Sequence, residues 1–293
     1  MVNLRKAILN KRFKNTANLF SSLLDEPYAV IKGEPLSLLA YGKTAMRHVG
    51  DIDILISRDN MGNLIKCLDM DGFEPSKVTR EEQISAVLCS HQILPFTKRL
   101  PGYGDVTVDI NFDIFWGEYE GKRVDINSFL SDALYKEIYG VVIKTLPPLK
   151  NMVQLVLHHY KDMNSIFLLS TRKIIKRDML RDVYFLLKNN VNDITLDKLY
   201  TISAEYEILP YMFYIFFYVG EIFHDEIIDK YTNAFRTRKG EELLDCYGLC
   251  EKERKKWRYN FETRLASNNI YDLIKEDLTA IDKEKIAFNK HIF

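Results

Sequence analysis

The chain has 293 residues, of which 47% are hydrophobic and 28% charged. This is enough for one large or two ordinary domains with a buried core, and it excludes disordered and collagen-like proteins. The 41 Lys and Arg residues balance the 41 Asp and Glu residues. No net field therefore attracts a nucleic acid or an anionic membrane, and such a partner would have to be held locally.

The chain contains four scattered cysteines and no stretch typical of a secretory signal. This pattern predicts a reduced protein in the cytoplasm. The longest apolar stretch, 208–220, is too short for the roughly 20 residues that a bilayer requires. We therefore expect a buried core helix there and no membrane partner.

The first quarter of the chain predicts a helix, a strand and a second helix. Apolar residues recur every three to four positions in 1–27, which indicates a helical lead-in. A β-prone run at 28–32 ends at Gly33, and helical periodicity resumes over 35–41. Gly33 is thus expected to form a turn between strand and helix.

The next segment predicts two further strands with acidic residues on one face. The sequence DIDILI at 51–56 alternates with period two, as a half-buried strand does. A helix is expected at 62–70, and 84–93 is read either as a pair of strands or as one strand with a loop. Strict alternation in DVTVDINFDIF predicts another strand over 105–115.

The character of the sequence changes near residue 146, where two prolines are followed by almost continuous helical periodicity. We therefore divide the chain into a lead-in at 1–27, a domain at 28–146 and a helical domain at 147–293. The predicted fold class is α+β, with a short mixed sheet followed by an all-α domain. The basic residues of 252–258 are expected on a helix face, either solvated or in contact with a polyanionic acceptor.

Three acidic residues form the main candidate for a metal site. Asp51 and Asp53 lie two apart on one strand, so their carboxylates share a face. Carboxylates and substrate phosphates are typical ligands of Mg²⁺, and Asp109 on the later strand would complete a site for two ions. Asp113 competes with Asp109 for this role because both are expected on the same face.

The residues before the acidic pair suit a triphosphate. Gly33 opens a helix, where backbone amides bind phosphate well. Lys43 and Arg47 follow it and supply positive charge for the phosphates. Gly50 would allow a ligand to approach the backbone beside Asp51.

The sequence IKGEPLSLLAYGKTAMRHVGDIDILI resembles the polymerase-β-like nucleotidyltransferase superfamily, and it is similar to the bacterial family of uncharacterised nucleotidyltransferases. The resemblance implies a nucleotidyltransferase domain with Lys32 and Gly33 in the glycine motif. It further implies that Arg47 is the family arginine. It assigns Asp51, Asp53 and Asp109 to catalysis and metal binding.

The resemblance extends to about residue 220 through LVLHHYKD and RDMLRDVYFLL. It makes His158 and Asp182 candidates for acceptor binding, although a core, surface or ion-pair role competes for each. Two positions depart from the family pattern. Glu34 is an acid where the superfamily has a small residue, and Asn111 replaces a family histidine.

The function expected from these residues is Mg²⁺-dependent transfer of a nucleotide monophosphate (NMP) group from an NTP, with ATP as the expected donor. The acceptor hydroxyl belongs to a small molecule, a peptide or an RNA. One alternative is a toxin-like transferase that modifies tRNA or protein. Another is a catalytically silent nucleotide-binding or scaffold module, which Glu34 would favour. The sequence leaves the acceptor and the oligomeric state open.

Overall fold

The structure is a computed structural model that describes residues 2–47, 50–116, 123–171 and 174–292. The chain forms two compact units, one of residues 2–116 and 123–151 and one that begins at residue 152. The helices and strands are α1 (Val2–Lys14), α2 (Ala17–Ser22), β1 (Tyr28–Ile31), α3 (Gly33–Tyr41), β2 (Asp51–Ile56), α4 (Met61–Met70), β3 (Glu74–Pro75), α5 (Arg80–Cys89), β4 (Phe96–Leu100), β5 (Gly104–Asn111), α6 (Ile126–Leu130), β6 (Leu134–Ile138), β7 (Val141–Thr145), α7 (Pro148–Asn164), α8 (Ile166–Thr171), α9 (Arg177–Asn189), α10 (Leu196–Glu205), α11 (Leu209–Phe223), α12 (Glu226–Phe235), α13 (Arg238–Leu244), β8 (Cys246–Tyr247), β9 (Lys255–Lys256), α14 (Phe261–Ala266), α15 (Ile270–Ile274) and α16 (Ala280–Ile292).

The first unit is built on a seven-stranded mixed sheet in the order β3-β4-β5-β2-β1-β7-β6. Strand β2 runs parallel to β5 and antiparallel to β1, and β1 runs parallel to β7. The α+β class with a mixed sheet is confirmed. Strands β2 and β5 carry the predicted acidic residues, and they are neighbours in the sheet.

The apolar core of the first unit covers one face of this sheet. Ile52, Ile54 and Ile56 alternate along β2 and enter the core together with apolar residues of α1, α2 and α4. Since side chains alternate between the two faces of a strand, Asp51 and Asp53 lie on the opposite face. The packing of the core thereby fixes which face of β2 presents carboxylates.

The prediction of strand structure at 84–93 is wrong, because residues 80–89 form helix α5. A capping box starts this helix. The Thr79 hydroxyl accepts a hydrogen bond from the Glu82 amide at 3.2 Å, and the Glu82 carboxylate accepts one from the Thr79 amide at 2.7 Å. These two bonds satisfy amides that the first helical turn would otherwise leave unpaired.

The predicted strand at 105–115 is shorter than expected, because β5 ends at Asn111. Asp113 lies beyond its end, where its Oδ1 accepts hydrogen bonds from the amides of Ile114 and Phe115 at 2.8 and 3.0 Å. An Asp side chain that bonds to the following amides competes with the strand ladder. The expectation that Asp113 shares a strand face with Asp109 is therefore wrong.

Strands β6 and β7 form a hairpin that the sequence analysis did not predict. Tyr139 and Gly140 connect the strands with φ angles of 54° and 80°. Two consecutive residues with positive φ are typical of a tight hairpin turn. The hairpin extends the sheet because β7 pairs with β1.

The second unit is helical apart from the two-residue strands β8 and β9. Helix α11 is its most apolar helix, and most of its side chains are buried against α9, α12 and α13. Among the residues that the structure describes, no helix combines the length and apolarity that a bilayer span requires.

The prediction of a basic helix at 252–258 is wrong, because this segment contains a short 3₁₀ turn and then β9. Lys255 Nζ lies 2.8 Å from the Asp282 carboxylate. Arg258 forms ion pairs with Glu276 and Asp277. These basic side chains are thus paired with acids of the same unit.

Candidate active site

The register between β2 and β5 places the predicted acidic residues side by side. Asp53 lies directly opposite Asp109, and Asp51 lies opposite Thr107. Neighbouring strands are about 4.8 Å apart, so the three carboxylates occupy one small area of the sheet face. We call Asp51, Asp53 and Asp109 the three-acid cluster.

The three carboxylates differ in their exposure to solvent. Asp51 is exposed at the start of β2, Asp53 is 5% exposed, and Asp109 is half-buried. Burial penalises the ionised form of a carboxyl group, and a second carboxylate nearby penalises it further. The cluster therefore carries negative charge that needs compensation.

The pKa of Asp109 reflects this crowding. Burial, followed by the charges of Asp53 and Asp51, raises the pKa of Asp109 from 3.8 to about 7, while Lys32 opposes the rise. Asp51 also raises the pKa of Asp109 as a hydrogen-bonding neighbour. In the absence of a cation, the cluster thus retains a proton near neutral pH.

Lys32 contacts this cluster with a positive charge. Its Nζ lies 2.5 Å from Asp53 Oδ1. Burial raises the pKa of Asp53, and the Lys32 charge opposes this shift. Lys32 reaches this position from the end of β1, where its φ of 58° is costly for a residue other than glycine.

The glycine turn connects Lys32 to helix α3. Gly33 also has a positive φ, at 43°, and it is the first residue of the helix. The Lys32 side chain forms no capping hydrogen bond with the helix amides, since an ammonium group has no acceptor. A helix N-terminus presents amides and the positive end of the helix dipole, which favour an anion.

Glu34 points into the protein interior although it belongs to the first turn of α3. Its side chain is buried, and its Oε2 accepts hydrogen bonds from the Ala45 amide at 2.9 Å and the Tyr139 hydroxyl at 3.0 Å. We call residues 42–47 the basic loop. Glu34 anchors this loop. Ser37 adds a second anchor, because its Oγ donates to the carbonyl of Lys43 at 2.8 Å.

Two of the predicted phosphate-binding residues, Lys43 and Arg47, belong to this anchored loop. Lys43 is exposed, and Arg47 Nη1 donates to the Gly33 carbonyl at 3.5 Å, which links the end of the loop to the glycine turn. Gly50 is exposed directly before Asp51, and a Cβ there would meet no protein atom within 4 Å. Internal packing therefore gives no reason for glycine at position 50.

Two further polar residues lie on or after β5, with different roles. Asn111 is buried on the same face as Asp109, and its amide favours the ionised form of Asp53. Asp113 instead faces Arg123, whose Nε lies 3.3 Å from its Oδ2. The structure thus brings Asn111 to the cluster and keeps Asp113 in local contacts.

The two candidate acceptor residues belong to the second unit. His158 lies on α7 with its Nε2 3.3 Å from Asp162 Oδ2. Asp182 is buried on α9, where the neighbouring Arg181 pairs with Asp178 at 3.3 Å. These contacts do not assign either residue to an acceptor.

Sequence reasoning missed the residues that hold the site together. Tyr139 was overlooked because the hairpin that presents it was not predicted, although a Tyr-Gly pair between two alternating runs was a usable signal. Ser37 gave no signal, since its role depends on a contact with the basic loop.

Comparison with known proteins gives one match to a family and a weak structural likeness. The sequence matches the family described as "Uncharacterised nucleotidyltransferase" over residues 2–224. No curated protein matches at a significant level. The solved structure of the antibiotic-resistance factor ANT(2″)-Ia is similar at 12% identity and a TM-score of 0.38, over 71% of this chain and 96% of that one. A TM-score of this size supports no inference about the site. The family match spans most of the chain, and the chain therefore belongs to this family of nucleotidyltransferases.

Proposed function

We propose that the chain uses Mg²⁺ to transfer an NMP group from an NTP to an acceptor hydroxyl at the three-acid cluster. The family makes the chain an enzyme of nucleotidyl transfer in general. The observation that carries the finer proposal is the register that pairs Asp53 with Asp109 and puts Asp51 on the same face.

The cluster suits Mg²⁺ by the chemistry of its donors. Carboxylate oxygens together with substrate phosphates are the ligands that this ion prefers. Burial, and then the charges of Asp53 and Asp51, raise the pKa of Asp109 to about 7, and a divalent cation would favour the ionised carboxylate. Asp51 and Asp53 would hold the ion bound with the triphosphate, and Asp109 would complete a second site. Mg²⁺ supplies Lewis acidity and charge neutralisation for the phosphates when it is bound.

The chain's own residues position the triphosphate. The glycine turn at Gly33 offers backbone amides at the N-terminus of α3, and Lys43 and Arg47 on the anchored loop supply positive charge. Lys32 favours the ionised form of Asp53. Such fixed groups stabilise negative charge that develops as pyrophosphate leaves.

The acceptor hydroxyl is activated by Asp109 in this proposal. Asp109 lies directly opposite Asp53 on the neighbouring strand, beside the carboxylates that would hold the metal ion, and a carboxylate is a suitable general base for a hydroxyl proton. The acceptor oxygen then forms a bond to the α-phosphorus, the bond to the leaving pyrophosphate breaks, and the hydroxyl proton passes to Asp109.

We propose ATP as the donor and the cytoplasm as the location. The acceptor stays open among small molecules, peptides and RNA, and His158 and Asp182 stay candidates for binding it. The alternative of a catalytically silent module depended on an acidic Glu34 beside the phosphates. The contacts of Glu34 with Ala45 and Tyr139 direct its charge away from a phosphate site.

Labelled ATP tests this function. We expect label from the α-phosphate, and none from the γ-phosphate, to pass to an acceptor when the full chain is incubated with Mg²⁺ and pools of small molecules, tRNA or protein. Asp53→Asn should abolish the transfer, whereas Asp105→Asn, which removes an exposed charge from the same strand as Asp109, should not. Transfer of the γ label would contradict the proposal.

A further inference from the structure

A second group of side chains of metal-ligating type lies on helix α7. His158, His159 and Asp162 each offer one ligand atom, and these atoms all lie within 4.8 Å of one another. We call these residues the His-His-Asp cluster. All three belong to the second unit.

The geometry of an α-helix explains why these residues meet. Each residue advances by about 100° around the axis. Relative to His158 at 0°, His159 lies at about 100° and Asp162 at about 40°, one turn further along. Asp162 therefore lies between the two histidines in projection. The contact of His158 Nε2 with Asp162 Oδ2 at 3.3 Å and the 5.6 Å between the imidazole centroids agree with this geometry.

Two members of the cluster are buried. His159 is 2% exposed and Asp162 is 7% exposed, so a carboxylate and an imidazole are both removed from water. Asp162 forms an ion pair with Lys161, whose Nζ lies 4.0 Å from its Oδ1. A buried carboxylate is stabilised by a paired charge or by a coordinated metal.

We propose that the His-His-Asp cluster binds a divalent transition metal of the Zn²⁺ class. Two imidazole nitrogens and one carboxylate oxygen suit Zn²⁺, whereas Mg²⁺ prefers oxygen ligands. Tetrahedral bonds of about 2.1 Å place ligand atoms about 3.4 Å apart. Metal binding therefore requires side-chain rotations that bring the ligand atoms, now within 4.8 Å of one another, closer together. Three protein ligands leave a fourth position for water or another ligand. The proposal does not rest on the transfer reaction, and it gives His158 a role as metal ligand in place of acceptor binding.

Metal titration of the full chain tests the proposal. After treatment with a chelator and its removal, the protein should bind one equivalent of Zn²⁺ at this site, and Co²⁺ should give the visible absorption of a low-symmetry site with nitrogen ligands. His158→Gln and Asp162→Asn should each lower the Zn²⁺ affinity by roughly 100-fold, since loss of a direct ligand exceeds the effect of losing an outer hydrogen bond. Zn²⁺ should raise the melting temperature of the parent and not that of His158→Gln.

Two control variants separate this site from other binding. Asp53→Asn removes a ligand of the three-acid cluster, and His224→Asn removes a second-unit histidine at a position whose positive φ asparagine tolerates. Both should keep the parent's Zn²⁺ affinity. Melting in EDTA shows whether each variant folds. If Asp162→Asn does not fold, the His158→Gln variant decides the test, because His158 is more exposed than Asp162. Unchanged affinity in His158→Gln, or loss of binding in Asp53→Asn alone, would overturn the proposal.

Discussion

Repulsion within the three-acid cluster predicts that Asp109→Asn stabilises the metal-free protein at alkaline pH. The pKa of Asp109 is raised from 3.8 to about 7 by burial and by the charges of Asp53 and Asp51. The folded state therefore binds this proton more tightly than the unfolded chain does. Its contribution to stability is fully present below pH 3.8, decreases as the pH rises, and is lost as the pH passes 7. At about 1.4 kcal/mol for each factor of ten, the ionised form costs on the order of 4 kcal/mol at pH 8.

Urea unfolding of the parent and of Asp109→Asn in EDTA measures this cost. The free energy of unfolding of the variant, relative to the parent, should increase by about 1.4 kcal/mol per pH unit between pH 4 and 7 and level off above that. MgCl₂ at pH 8 should stabilise the parent more than the variant, because it relieves the same repulsion. Asp105→Asn serves as the control, and its stability relative to the parent should vary little with pH. A variant that is no more stable than the parent at pH 8, or a difference that does not change with pH, would refute the reasoning.

Three other changes separate the roles assigned within the first unit. Asp53→Asn should abolish transfer. It should melt near the parent's temperature, because relief of repulsion among the carboxylates offsets the lost pairing with Lys32. Near-full turnover of this variant in a radiolabel assay would contradict the assignment. Glu34→Leu should weaken ATP binding by about ten-fold or more in calorimetry, because the basic loop loses its anchor. Glu34→Gln keeps an acceptor oxygen and should bind ATP almost normally. Equal affinity of the two variants for ATP would argue against the anchor. Asp113→Ala should lower the free energy of unfolding by about 1–3 kcal/mol in urea and retain transfer activity. Asp109→Ala should lose transfer activity. An inactive Asp113→Ala and an active Asp109→Ala would exchange the roles of the two residues.

Local patterns in the sequence were sufficient for the central strand and for the glycine turn. Strand β2 spans Asp51–Ile56 as expected, and Ile52, Ile54 and Ile56 enter the apolar core. The expectation of a half-buried strand is wrong, because every residue of β2 after Asp51 is buried. Gly33 opens a helix as predicted. The spacing of apolar residues and the preference of glycine for turns are properties of neighbouring residues, so they can be recognised without knowledge of the fold.

Errors arose where a side chain redirects the backbone. The capping box of Thr79 and Glu82 selects a helix for a segment whose apolar residues allowed a strand. Asp113 ends β5 by bonding to the amides that follow it, and alternation alone does not reveal that change. The hydrogen bonds of these side chains outweighed the apparent hydrophobic period.

The arrangement of the site required the tertiary structure. The alternation of β2 and β5 predicted which side chains share a face, but the pairing of Asp53 with Asp109 depends on the strand register. The interior position of Glu34 depends on Ala45 and Tyr139, which are distant in sequence. Contacts across such separations are not encoded in local periodicity.

Calorimetric titration of ATP in MgCl₂ and in EDTA tests most directly whether the three carboxylates hold a divalent cation with the nucleotide. The parent should bind ATP at least roughly ten-fold more tightly in MgCl₂ than in EDTA, a difference of about 1.4 kcal/mol or more. A protein that combines Asp51→Asn, Asp53→Asn and Asp109→Asn should lose this dependence on Mg²⁺. Equal affinity of the parent in both buffers, or a dependence on Mg²⁺ that persists in the triple variant, would contradict the assignment of the three-acid cluster.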